Sequence, residues 1–271
     1  MSDIPGLIFV SAPKSPETFN VCLYGPPKSG KSTAAATAPG PILWVNAEGS
    51  GALGHARKTA TSRGTQILEV AVDKRSKNAS RVLTDVYQHI VADTDPVIRT
   101  VVVDTMAKVR EALIAELVQK GAKNSLQQFG EVADKLGGFV NALRDLPVNL
   151  VLLAHDDVQN SDEDGRIVVP LIGGKLTNTI PGEVDVVAFT AALSTDDGMR
   201  YFGQLVQGKG RIAGDRSDAL AGEKGIRELD LSDWLSVYSA ALTPSTADLP
   251  WGEAEPPDDV DLPTLDVEEA A

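Results

Sequence analysis

Nine residues, Gly25-Pro26-Pro27-Lys28-Ser29-Gly30-Lys31-Ser32-Thr33, carry the clearest chemistry in this sequence, a full G-x-x-x-x-G-K-[ST] match. Each residue type has a physical task. Glycines let successive backbone N–H groups turn inward as a nest for a β-phosphate, Lys31 reaches the β/γ oxygens, and Ser32 offers a hydroxyl to magnesium. ATP with Mg2+ is the expected occupant, cradled by all nine residues. A metal site needs a second hard oxygen, and Val101-Val102-Val103-Asp104-Thr105 supplies one at the end of a buried apolar run. Alone, an apolar run ending in Asp is an ordinary strand cap. Paired with the loop, Asp104 and Ser32 become the expected magnesium ligands.

These residues need elements to hold them in place. The phosphate loop follows one buried run, Phe19 to Tyr24, and precedes a helix-like segment, Thr33 to Ala38. Further β-branched runs lie at Ile42 to Asn46, Gln66 to Val72, Ile98 to Val103, Val148 to Ala154 and Val184 to Thr190, and read as strands buried on both faces. Between Ser125 and Arg144, Leu126, Phe129, Val132, Leu136, Phe139, Val140 and Leu143 recur at three and four, one face of a helix. Val82 to Ile90 and Val109 to Val118 repeat the pattern. Strands alternating with helices predict an α/β fold with a mostly parallel central sheet and helices on both faces.

The chain has 271 residues, 42% hydrophobic and 23% charged, which suits one α/β domain with appendages. Its net charge of -13 is unevenly spread. Nine acidic residues and no Lys or Arg follow from Asp248 onward, leaving a body near -4. With Pro244, Pro250, Pro256, Pro257 and Pro263, that tail cannot bury enough apolar surface to offset its ordering entropy. The expected organisation is an extension at 1–18, a core at 19–243 and a disordered acidic tail at 244–271. No apolar run approaches the ~18 residues of a membrane helix. Asp3 and Pro5 stand where a signal peptide would be basic, so a soluble, cytoplasmic protein without a membrane partner is expected. A single cysteine, Cys22, excludes a disulfide framework and a Cys-cluster zinc site.

With its phosphate loop and Asp104 strand, the sequence resembles the RecA-type recombinase core, especially small phage-encoded RecA-like ATPases associated with single-strand annealing and recombination. The resemblance spans about residues 19 to 240 and implies a RecA-like P-loop NTPase fold and a DNA-stimulated ATPase. Such proteins carry their catalytic glutamate after the second core strand, where Leu43-Trp44-Val45-Asn46-Ala47-Glu48-Gly49 matches. Glu48 is the implied base, with Asn46 where an aspartate is usual. Thr105 stands where many helicases carry the glutamate, so the base must come from elsewhere. His155, after Val148 to Ala154, takes the place of a γ-phosphate sensor. In Val206-Gln207-Gly208-Lys209-Gly210-Arg211-Ile212-Ala213, Lys209 and Arg211 resemble the cations that reach into a neighbour's ATP site. Read without the family, Glu48 is a loop glutamate, His155 a surface or core histidine, and Lys209 and Arg211 solvated cations at a strand end.

The same resemblance implies single-stranded DNA against two loops, near Lys120 to Gln128 and Asp156 to Thr179. Lys120, Lys123, Arg166 and Lys175 are the cations on offer there, against Asp156, Asp157, Asp162, Glu163 and Asp164. Binding should therefore be weak and salt-sensitive. Fingers acting in trans imply a homo-oligomer, ring or filament, and Phe9-Val10-Ser11-Ala12 has the Phe-x-x-Ala form of a docking segment. Leu249, Trp251, Leu262 and Leu265 in the acidic tail suit a replication or recombination partner. The sequence also admits a P-loop kinase, although Arg63, Arg75 and Arg81 are scattered for a lid; a metal-dependent nuclease using the Asp156 to Asp164 carboxylates; or a non-hydrolysing ATP-gated adaptor.

Overall fold

Branched, apolar runs with no room for water on either side build the centre of the molecule. The computed structural model describes residues 18–49, 51–75, 77–92, 97–121, 125–161, 165–195, 198–208, 210–222 and 224–243. Among these the strands are β1 (Asn20–Tyr24), β2 (Ile42–Asn46), β3 (Ile67–Ala71), β4 (Thr100–Asp104), β5 (Asn149–Ser161), β6 (Gly165–Leu171), β7 (Val186–Thr195), β8 (Gly198–Gln204), β9 (Gly214–Asp215) and β10 (Ile226–Glu228). The helices are α1 (Lys31–Ala35), α2 (Gly54–Ser62), α3 (Ala79–Val91), α4 (Met106–Gln119), α5 (Ser125–Arg144), α6 (Leu176–Glu183) and α7 (Leu231–Leu242).

The sheet order is β10-β8-β7-β1-β5-β4-β2-β3, with β6 paired to β5 and β9 to β7. Six strands, β7, β1, β5, β4, β2 and β3, run parallel. The mostly parallel sheet with helices on both faces is therefore present, extended by antiparallel β8 and β10. Alternate residues of β1 serve opposite cores: Cys22 and Tyr24 join the layer under α3, α4, α5 and α6, while Val21 and Leu23 join the layer under α1, α2 and α7. Such double-sided burial explains why β1, β2 and β4 read as unbroken apolar runs.

Register fixes the site. Tyr24 pairs with Ala154 and Phe189, and Asn46 with Asp104. The carboxyl ends of β1, β2 and β4 thus meet the middles of the longer β5 and β7 at one edge, bringing Gly25, Glu48, Asp104, His155 and Thr190 to the same side.

Three expectations need correction. The run at 66–72 is not buried on both faces, because β3 is the sheet's edge strand and its last residue is exposed. The expected loop from Asp156 to Thr179 is largely an antiparallel hairpin of β5 and β6, leading into α6. The helix expected over 33–38 runs from Lys31 to Ala35 instead. At the other end of the chain, α7 docks on the segment just past α1: Leu231 N–H donates to Thr37 Oγ1 (2.7 Å) and Ser232 Oγ to the Thr37 carbonyl (2.6 Å). No helix among the described residues is long and apolar enough to cross a membrane. The Phe9 to Ala12 segment and the acidic tail lie outside the described residues, as do Lys123 and Lys209.

Candidate nucleotide site

The phosphate loop is fixed from beneath. Ser29 Oγ donates to Thr190 Oγ1 (2.5 Å) on β7, and Thr190 Oγ1 donates to the Tyr24 carbonyl (3.2 Å). Gly25 (φ 151°) sits against Thr190 so closely that a Cβ there would lie 2.6 Å from the Thr190 carbonyl oxygen. Gly30 (φ 92°) lies against the Tyr201 ring of β8, where a Cβ would meet ring carbon Cδ1 at 2.5 Å. Both glycines are therefore required by conformation and by space. Pro26, Pro27 and Lys28 form the exposed lip, and Thr33 Oγ1 lies 3.4 Å from His55 Nδ1 on α2. Among the described residues the main-chain N–H groups of Lys28, Gly30, Lys31 and Ser32 meet no protein acceptor. They are the donors an anion needs.

Lys31 is 6% exposed. Its Nζ donates to the carbonyls of Gly25 (2.7 Å) and Pro26 (2.8 Å). Burial pulls its pKa down to about 8, partly opposed by the charges of Asp156, Asp104 and Glu48. An ammonium so placed gains from any added negative charge.

Ser32 Oγ donates to Asp104 Oδ2 at 3.3 Å, so the two expected metal oxygens do converge. Asp104 is pushed up to about 6 by burial first and by the Glu48 charge second, against the opposing influence of Ser32, Trp44 and Lys31. Trp44 Nε1 is buried and meets no partner within normal hydrogen-bond limits among the described residues, yet is close enough to favour the carboxylate. A buried carboxylate driven toward its neutral form beside a second one is short of positive charge, which a dication supplies. Among the described residues no group of three or more His, Cys, Asp and Glu side chains forms a metal cage. The donor set therefore suits Mg2+, which keeps water and phosphate oxygens in its shell and needs few protein ligands.

Glu48 stands in the turn after β2, and Thr105 Oγ1 donates to its Oε1 at 2.7 Å. Thr105, just past β4, thus holds the glutamate that follows β2. Ala47 N–H donates to the Asp104 carbonyl (2.7 Å), tying this turn to the end of β4. His155 follows the register partner of Tyr24 on β5, and its Nδ1 is buried without a partner among the described residues. Burial, then Lys31, lowers its pKa, which favours the neutral ring at the edge of the site. The sequence placed Asp156 in a loop; it belongs to β5, and its charge supports Lys31.

Arg211 is not gathered into this cluster. Its guanidinium stacks on Phe189 (4.3 Å to the ring centroid) and donates to Gln204 Oε1 at 3.3 Å. Of the expected DNA-facing cations, Lys120 pairs with Glu116 (2.5 Å) and Lys175 with Asp134 (2.7 Å), while Arg166 is exposed. Asp156 and Asp157 occupy successive strand positions and point to opposite faces, while Asp162, Glu163 and Asp164 lie outside the described residues. Arg63 pairs with Asp230 and Arg81 with Asp85.

A family model described as AAA domain matches residues 17–217. No curated protein matches the chain. Among solved structures, an ATPase from the type III secretion system of pathogenic bacteria aligns at 10% identity with a TM-score of 0.47, covering 63% of this chain and 51% of that one. The chain thus spans about half the length of that ATPase. A KaiC-like protein from the hyperthermophilic archaeon Pyrococcus horikoshii aligns at 16% identity with a TM-score of 0.41, covering 70% of this chain and 78% of that one.

Proposed function

The chain belongs to the AAA domain family of P-loop ATPases, and from that premise we propose that it binds ATP with Mg2+ and hydrolyses it in a reaction stimulated by single-stranded DNA. The observation that carries the reading is the meeting at one sheet edge of Lys31, the Ser32–Asp104 pair and Glu48. The loop's N–H donors and Lys31 hold the triphosphate. Ser32 and Asp104 would hold a magnesium ion, which would supply positive charge to the triphosphate. Glu48 orients a water and takes its proton as the water oxygen attacks the γ-phosphorus; ADP leaves and inorganic phosphate forms. Thr105 holds the carboxylate that does this.

His155, a hydrogen-bonding group beside the loop, is the proposed γ-phosphate sensor. Arg211, with Lys209, is proposed to act on a neighbouring subunit's nucleotide in a ring or filament. Leaving Phe189 forfeits a cation–π contact of about 0.5–2 kcal/mol, within reach of a new phosphate contact. Single-stranded DNA is the proposed partner, held weakly through phosphates, and phage DNA recombination in the host cytoplasm is the proposed setting. The proposed domain plan keeps the core at 19–243, with the acidic tail recruiting a further protein.

Product analysis tests the reading. Inorganic phosphate released from ATP, rising when single-stranded DNA is added, is expected. A phosphorylated small acceptor instead would make the protein a kinase, and nucleotide binding without turnover would make it an adaptor.

A further inference from the structure

Asn46 ends β2 at 2% exposure, and every hydrogen bond of its side chain points to the turn it precedes or to the sheet edge beside it. Its Oδ1 accepts the Glu48 main-chain N–H at 2.9 Å. Its Nδ2 donates to the Gly49 carbonyl (2.9 Å) and to Glu69 Oε1 (2.7 Å). Glu69, on the edge strand β3, takes Arg57 Nη2 of α2 on its other oxygen at 2.7 Å. Arg57 Nη1 in turn donates to the Ile67 carbonyl of β3 at 3.1 Å. The amide's orientation follows from chemistry, with carbonyl facing an N–H and NH2 facing two oxygens. The Asn46 bond, followed by Arg57, holds the Glu69 carboxyl below its ordinary value, so Glu69 is a charged acceptor.

Packing holds the start of this turn, where Ala47 lies against the core, but not its exposed end. Glu48 and Gly49 are exposed, and a Cβ at Gly49 (φ 101°) would meet nothing within 4 Å. Alongside the Ala47 N–H bond to the Asp104 carbonyl and the Thr105 bond to the carboxylate, the Asn46 amide fixes the Glu48 main-chain N–H, and Glu69 fixes the amide. We propose that Asn46, Glu69 and Arg57 form a positioning relay, running in from the exposed sheet edge, that aims the Glu48 carboxylate at the reacting water. The inference rests on the ATPase reading for Glu48. It also explains why asparagine serves here: an aspartate in its place would turn carboxylate oxygens toward the Glu69 carboxylate and the Gly49 carbonyl, losing both donations.

The test uses the full chain with Asn46→Asp, Glu69→Gln, the double variant and Glu69→Leu. kcat, KM, affinity for Mg-ADP and hydrogen exchange at residues 47–49 are measured for each. Asn46→Asp and Glu69→Leu should lower kcat by about 10- to 100-fold, the scale of a small misplacement. Mg-ADP affinity should stay within about threefold, because the phosphate loop is untouched. Both variants should speed exchange at the Glu48 N–H. Combining Asn46→Asp with Glu69→Gln should recover at least about threefold in kcat and slow that exchange, since the glutamine amide introduced on β3 can donate to the carboxylate introduced at the end of β2. Unchanged kcat and exchange in both damaging variants would overturn the relay, as would a folded double variant no better than Asn46→Asp. Equal loss of Mg-ADP affinity and kcat would reduce Asn46 to a general structural residue. Should Asn46→Asp fail to fold, Glu69→Leu, on the partly exposed edge, decides alone. A parent protein that binds Mg-ADP but releases no phosphate from ATP sinks the ATPase reading instead, and the exchange data then decide the relay.

Discussion

Replacing Gly30 by alanine should do two separable kinds of damage. The first is conformational: at φ 92° an L-residue is strained by about 1–2 kcal/mol. The second is steric: the new methyl would sit 2.5 Å from Cδ1, 2.6 Å from Cγ and 2.9 Å from Cβ of Tyr201, where carbon atoms prefer about 3.5–4.0 Å. A rotamer change moves the ring but not Tyr201 Cβ, which is fixed to β8 by pairing with β7 and by the Leu229 N–H to Tyr201 carbonyl bond at 3.0 Å. Overpacking of this kind adds about 1–3 kcal/mol, for a total of about 2–5 kcal/mol. Gly49→Ala is the internal control, because its φ of 101° brings the strain without the clash, so about 1–2 kcal/mol is expected. Tyr201→Ala in the Gly30→Ala background should return part of the steric share and none of the strain. Urea denaturation midpoints of the four proteins, compared at a common slope, measure these differences. If Gly30→Ala proves no more damaging than Gly49→Ala, the packing of Tyr201 on the phosphate loop is wrong.

Asp104→Asn should stabilise the nucleotide-free protein while abolishing magnesium-dependent turnover. Burial raises the Asp104 pKa from 3.8 to about 6, so protonation stabilises the native state at low pH and that contribution is lost as pH rises through 6; the gain from asparagine should grow between pH 4 and 7 by up to about 3 kcal/mol, and a gain that shrinks with pH would contradict it. Mixing Lys31→Ala subunits with Lys209→Ala/Arg211→Ala subunits should restore part of the activity if those cations act in trans, whereas a strict monomer with full activity on sedimentation would eliminate that role. Deleting residues 245–271 removes nine negative charges tethered near the body and should tighten single-stranded DNA binding most at low salt; superimposable low-salt isotherms would reject competition by the tail.

The central strands and α5 were legible because burial on two faces, or on one stripe, writes itself directly into residue type. Lys31, Ser32 and Asp104 were legible because their spacing and strand context are local. The β5–β6 hairpin is masked in the sequence, since the carboxylates at and before its turn hide the alternation of strand residues. Asp164-Gly165 followed by Ile167, Val168 and Val169 was the available signal for a turn between paired strands. Thr190 and Tyr201 carry no local mark: they support the phosphate loop through β7 and β8, about 160 residues or more away, by contacts only the sheet order creates. Asn46 looked like a departure from a pattern until Glu69, on the neighbouring strand, explained its amide. Arg211 has a chemically apt type and position, yet Phe189, on β7, decides where its guanidinium rests.

The central claim is that Lys31 holds nucleotide and Glu48 turns it over, and paired measurements on Lys31→Ala and Glu48→Gln reach it most directly. Binding of Mg-ATP and release of phosphate would be recorded for both variants beside the parent protein. The account predicts that Lys31→Ala loses affinity and turnover together, while Glu48→Gln keeps affinity within a few-fold and loses about 10²-fold or more in turnover. Parental turnover in Lys31→Ala, or equal loss of binding and turnover in Glu48→Gln, would contradict it.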